Sequence, residues 1–238
     1  MHMTINGKLC QAQTGQTIME AARGHGVYIP ALCFHVKTGI ASRCRACVVE
    51  VKGSPGLRTA CSTAAEDGMV ITTNSRRVLH AQRQIIELLL SSGIHNCAAC
   101  SRYGNCELQD AAYYLGIDLD MTGPEIDSPL VSWFEAPYWN EAHGLIVGDP
   151  KRTHRDITPD IDDSDAAILV DRDKCIACGR CVEICRIMKR NVVHFALRGH
   201  HTRIIFDNDV SLAQSKCDHC GECLPLCPVG ALTAKQGQ

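Results

Sequence analysis

The chain has 238 residues, 45% of them apolar and 21% charged, a profile that fits an ordinary soluble protein of one large or two ordinary domains. A formal net charge of −2 argues against a nucleic-acid binder, and no apolar run approaches the roughly 20 residues that span a bilayer. Sixteen cysteines and eleven histidines are the anomaly.

Met1 to Lys8 reads as the start of a strand and lacks the apolar core of a signal peptide. Arg76-Arg77 lies too deep in the chain for a twin-arginine signal, and Ile85 to Leu90 is broken by Glu87. The expected location is the cytoplasm, where reduced thiols are available to metal. Met3 to Ile5 and Leu9 to Ala12 flank Asn6-Gly7, a hairpin signal. Thr17 to His25 predicts a short helix, with Thr17 as N-cap, Glu20 at the capping-box position and Gly24 near its end. Val48 to Val51 and Met69 to Thr72 are further strand candidates. Residues 1–75 therefore read as a small α+β domain.

In residues 76–116 the strongest helix signal runs from Ser75 to Ser92, with Val78, Ile85, Leu88 and Leu89 as its apolar stripe and Gly93 ending it. Glu107 to Leu115 predicts another helix, closed by Gly116. Residues 117–165 read as a connector with scattered prolines, an acidic run at Asp160 to Asp165 and four aromatics within Trp133 to Trp139. Those aromatics either pack a long loop onto its neighbours or form a docking surface for a partner subunit. Residues 166–238 contain a repeat: Cys175, Cys178, Cys181 and Cys185 recur 42 positions later as Cys217, Cys220, Cys223 and Cys227.

Each copy reads C-x2-C-x2-C-x3-C, a spacing that lets three thiolates converge on one face of a [4Fe–4S] cubane while the fourth ligates the other cluster. This assigns Cys175, Cys178, Cys181 and Cys227 to one cluster, and Cys217, Cys220, Cys223 and Cys185 to its partner. Structural zinc, the competing reading, prefers separated pairs with four ligands per ion. Upstream, Cys33-x10-Cys44-x2-Cys47-x13-Cys61 suits a [2Fe–2S] cluster held by a long loop, close to the plant-type arrangement. Between them, Cys97-x2-Cys100-x5-Cys106 is one ligand short of a cubane. His95 is the nearest candidate for the fourth position, with His80 and Cys10 as remote alternatives. Otherwise Cys10, the sixteenth cysteine, reads as a buried, unreactive residue in a strand.

The order of these constellations resembles the N-terminal region of iron-only hydrogenases, the start of the large iron–sulfur subunit of NADH:quinone oxidoreductase, and the small diaphorase subunit of NAD-reducing hydrogenases. The matching stretches are Ile29-Pro30 through Cys33, Cys44-Arg45-Ala46-Cys47, Gly104-Asn105-Cys106-Glu107-Leu108-Gln109, Asp173-Lys174-Cys175 and Cys227-Pro228-Val229-Gly230-Ala231-Leu232. Many relatives carry the histidine ligand where this chain has Gly93, whereas His95-x-Cys97 is similar to the spacing in diaphorase subunits and formate-dehydrogenase relatives. The resemblance implies a ferredoxin-like (β-grasp) [2Fe–2S] domain, a small helical His/Cys cluster domain and a bacterial-type 2[4Fe–4S] domain.

No catalytic constellation accompanies the cysteines, and Gly24 to Gly26 lacks the third glycine and the context of a dinucleotide site. The expected role is a wire carrying one [2Fe–2S] and three [4Fe–4S] clusters. It would join a flavin/NAD(P)-binding subunit to a hydrogenase, formate dehydrogenase or similar catalytic subunit, with an electron-bifurcating arrangement that also uses ferredoxin as a variant. The alternative is a free-standing polyferredoxin that shuttles electrons by diffusion.

Overall fold

The computed structural model describes residues 1–93, 95–117, 119 and 160–235. Strands β1 (His2–Ile5) and β2 (Lys8–Gln11) form the expected hairpin. Asn6 and Gly7 both take positive φ, the turn whose twist matches that of the flanking strands. Helix α1 (Ile18–Gly24) starts with the expected capping box: Glu20 N–H donates to Thr17 Oγ1 (3.2 Å), and Thr17 N–H donates to Glu20 Oε2 (2.8 Å).

β3 (Val48–Val51), β4 (Arg58–Thr59) and β5 (Val70–Thr72) complete a five-stranded mixed sheet of order β2-β1-β5-β3-β4, with β1 and β5 parallel at its centre. The two-residue β4 pairs only with the start of β3, too short a run to leave a periodic trace in the sequence. The sheet and α1 enclose a first core that includes Met3, Ile5, Ile18, Met19, Val49 and Ile71.

Helix α2 (Arg76–Ser91) begins at Ser75, whose hydroxyl accepts from Val78 N–H at 3.2 Å. Of the expected stripe Val78 is buried, Ile85 and Leu89 are half-buried and Leu88 is 51% exposed, while Gln82 and Ile86 complete the buried line. Gln82 is tolerated inside because its amide donates to the Val48 carbonyl at 2.9 Å and so ties α2 to β3. Helix α3 (Glu107–Tyr114) packs against α2.

Downstream, β6 (Ile161–Asp162), β7 (Ile168–Asp171) and β10 (Leu232–Ala234) form an antiparallel sheet of order β10-β7-β6. Helix α4 (Arg180–Ile187) leads to the hairpin β8 (Val193–Ala196)–β9 (Arg203–Phe206). The acidic run is built into this unit: Asp162 accepts from Leu212 N–H, and buried Asp165 accepts from the N–H groups of Ala167 and Ile168. Trp133 to Trp139 lie outside the described residues. A second core runs continuously from Leu32 and Cys33 through Ile86 of α2 and Leu108 of α3 to Val170 and Leu232. Among the described residues no helix is long and apolar enough to cross a membrane.

Candidate metal centres

The loop entering β3 and the turn after β4 bring four cysteines together: Cys33, Cys47 and Cys61 are buried and Cys44 is half-buried. Their thiols pair. A hydrogen bond from Cys44 draws the Cys33 pKa down, helped by the N–H groups of Cys44 and Arg43, while the same bond raises Cys44. Cys47 and Cys61 form the equivalent pair, with Cys47 raised and Cys61 lowered. Across the pairs Cys33 acts on Cys61 and Cys44 on Cys47, so all four share one site. Ser42 and Arg45 take left-handed backbone conformations here, and Ala46 N–H points at Cys44 sulfur. Such turns aim N–H groups at an anion.

The middle set occupies a 3-10 turn, Cys97–Ala99, and the start of α3. Cys106 is the N-cap of α3, and the N–H groups of Leu108 and Gln109 point at its sulfur. Cys97, Cys100 and Cys106 line one cavity together with His95, Lys174 and Val229. His95 has a hydrogen bond to the Leu89 carbonyl, whereas its Nε2 is buried with no partner. Burial lowers the imidazole pKa and favours the neutral ring. A neutral histidine anchored through one nitrogen, with the other bare, is what a metal ligand requires.

Neither alternative lies on the cavity. His80 is exposed on α2, and Cys10 sits in the first core with its thiol donating to the Lys8 carbonyl at 3.6 Å. Gly93 cannot hold a side chain: a Cβ there would lie 2.2 Å from the Asp173 carbonyl oxygen. The backbone of the C-terminal unit fills the space that a histidine at position 93 would need.

In the C-terminal unit the repeat extends to the backbone. Ala177 and Gly179 take left-handed conformations, as do His219 and Gly221 at the equivalent places in the second copy. Cys175, Cys178 and Cys181 feel the charge of Cys227, and Cys217 and Cys223 that of Cys185, so the fourth cysteine of each run lies with the other copy. Cys185, Cys217, Cys220 and Cys223 line a cavity. Backbone N–H groups reach the sulfurs: Ala177 to Cys175 (3.4 Å), Ala231 to Cys227 (3.1 Å) and Val192 to Cys185 (3.3 Å). Burial pushes Cys175 up to about 11, Cys178 and Cys223 to about 12, and Cys181 well above the ordinary thiol value. Among the described residues no group of three or more metal-binding side chains closes on a single ion-sized point.

The three sites touch. Arg43, beside Cys44, lies over the Phe195 ring (3.9 Å to its centroid) and against Gly179, where a Cβ would meet its Nε at 3.0 Å. Glu107 N–H, beside Cys106, donates to the carbonyl of Pro228, beside Cys227 (3.0 Å). Arg180 is wholly buried among all three sites. Sequence reasoning passed over it because a cation inside a cysteine motif carries no local sign of its distant partners.

Comparisons with known proteins agree with this architecture. Residues 1–76 match the 2Fe-2S iron-sulfur cluster binding domain, residues 82–119 the NADH-ubiquinone oxidoreductase-G iron-sulfur binding region, and residues 143–231 the 4Fe-4S dicluster domain. The chain is 35% identical to NADP-reducing hydrogenase subunit HndD of Solidesulfovibrio fructosivorans over 97% of its length, but spans only 35% of that relative. It is 29% identical to NAD-reducing hydrogenase HoxS subunit gamma of Cupriavidus necator, covering 99% of this chain and 88% of that one. A chain in the crystal structure of an NAD+-reducing [NiFe]-hydrogenase in the H2-reduced state superposes with a TM-score of 0.77 at 28% identity, over 98% of this chain and 87% of that one. The chain therefore consists of a [2Fe–2S] domain, an NADH-ubiquinone oxidoreductase-G-type iron–sulfur region and a 4Fe–4S dicluster domain.

Proposed function

We propose that this chain is the electron-transfer subunit of a multisubunit oxidoreductase of the cytoplasm, relaying electrons between a flavin/NAD(P)-binding subunit and a hydrogenase, formate dehydrogenase or similar catalytic subunit. The observation that carries the reading is the continuous contact among the three thiol sites around one core. Clusters held at such sites supply one-electron redox chemistry. The chain supplies spacing, shielding from water and N–H donors to the sulfurs. The ligand sets are Cys33, Cys44, Cys47 and Cys61 for one [2Fe–2S] cluster. Three [4Fe–4S] clusters take His95 with Cys97, Cys100 and Cys106; Cys175, Cys178 and Cys181 with Cys227; and Cys217, Cys220 and Cys223 with Cys185.

The site of Cys175, Cys178, Cys181 and Cys227 touches the other two regions: the N-terminal loop through Arg43 at Gly179, and the middle site through Glu107 at Pro228. This makes it the internal relay. Iron and acid-labile sulfide analysis tests the reading: about 14 irons per chain are expected, two from one [2Fe–2S] and twelve from three [4Fe–4S] clusters. Stoichiometric zinc without sulfide would overturn it. Co-purification of a flavin-containing partner in fixed ratio is the second expectation, and a monomer exchanging electrons freely with many carriers would point to the diffusing polyferredoxin instead.

A further inference from the structure

We infer that Arg180 is a positioning residue for electron transfer: it locks the N-terminal site against the Cys175/Cys178/Cys181/Cys227 site, and its buried charge raises the reduction potential of both. The inference rests on the proposal that clusters occupy these thiol sets.

The guanidinium is 1% exposed. Its fork binds Glu107 through both oxygens (Nη1–Oε1 2.5 Å, Nη2–Oε2 2.7 Å). Nη1 also donates to the Leu226 carbonyl (3.3 Å), and Nη2 to those of Phe34 (2.9 Å) and Ala31 (3.4 Å). Phe34 follows Cys33, Glu107 follows Cys106 and Leu226 precedes Cys227, while Arg180 itself precedes Cys181. One side chain thus grips the neighbour of a cysteine in each of three sites. Lysine, a point donor on a flexible stem, cannot reproduce that planar grip.

The charge has a separate consequence. Burying an ion pair is costly, and an apolar pair of similar volume often stabilises a fold as well. Stability alone is therefore a weak reason for a cation here. Glu107 is 46% exposed and screened by water, whereas Arg180 is not. Glu107 therefore offsets only part of the guanidinium charge in the interior. The Nε of Arg180 is buried with no hydrogen-bond partner. Reduction adds one electron and one negative charge to a centre, and a fixed cation nearby favours the reduced form.

The test is an EPR-monitored redox titration of the full chain, with iron and sulfide measured on every sample. Arg180→Met is expected to shift the reduced-to-oxidised ratio of the N-terminal and Cys175-set centres at least tenfold toward oxidised, 59 mV for one electron. The Cys217-set centre should move clearly less. Arg180→Lys should keep the potentials near wild type while weakening magnetic coupling between the two centres. If Arg180→Met fails to fold, Arg180→Gln carries the test, because it keeps a planar amide donor without the charge and should also move both potentials downward. Full iron with unchanged potentials, or equal shifts at all centres, in the neutral Arg180 variant overturns the inference. A wild-type chain without iron and sulfide overturns instead the reading on which it rests.

Discussion

Cys178 and Cys220 hold the same place in two copies of one motif, yet the first is 8% exposed and the second is open to solvent. Spacing and left-handed turns are equal in the two copies, so the difference comes from what covers them. Over the first copy lie Arg43, Phe195 and the Arg180–Glu107 pair. At the second, the N-terminal loop contributes the half-exposed Lys37–Glu222 bridge (3.4 Å), a contact of small energetic weight. A duplicated motif supplies equal ligand geometry, and its surroundings then divide the roles. On the proposed cluster assignment, the buried copy would exchange electrons within the protein and the open copy would face a partner.

The largest expected effect separates the copies by mutation. Cys181→Ser should lose the relay centre, about four of 14 irons, and lower the thermal midpoint by about 10 °C more than Cys220→Ser, because Cys181 belongs to the shared core. Equal midpoints by calorimetry would break the contrast. Next in size, a chelator should strip iron from the Cys217 set roughly tenfold faster than from the Cys175 set, since loss from a buried site waits on local opening. EPR of partly stripped samples reads the order directly. At the middle site, His95→Cys should keep full iron and lower the potential, by on the order of 100 mV, because thiolate replaces a neutral ligand. An unchanged EPR signal and potential would remove His95 from the ligand set.

The smallest effect concerns the metal-free chain. Cys175 is raised to about 11, and Cys178 and Cys223 to about 12, above the ordinary 9.0, with burial as the main cause. The folded state therefore favours the protonated thiols. That contribution is complete below pH 9 and is lost as pH rises through 11 to 12. Thermal melts of the apo chain followed by circular dichroism should show a falling midpoint across that range. Iron–sulfur loading has the opposite preference, because it requires thiolates and releases protons.

Local signals were the legible part of the sequence. Asn6-Gly7, the Thr17/Glu20 box and the starts of α2 and α3 depend on residues within a few positions of one another, and the structure has them in place. Gln82 was not legible, because its place inside depends on a carbonyl 34 residues away, and the two-residue β4 exists only through its partner strand. Arg180 lay further out of reach. Its grip on Glu107 spans 73 residues and its grip on Phe34 spans 146, and neither leaves a mark on the intervening sequence.

The two cores also set an order of assembly. The first draws only on residues from Met3 to Ile71, so it can close while the rest of the chain is still being synthesised. The second needs Leu32 and Leu232 at once, and its long loop must close before its contacts reward it. Leu32, Cys33 and Ala46 of the N-terminal region belong to this second core, so the proposed [2Fe–2S] loop is packed only once Val170 and Leu232 are in place.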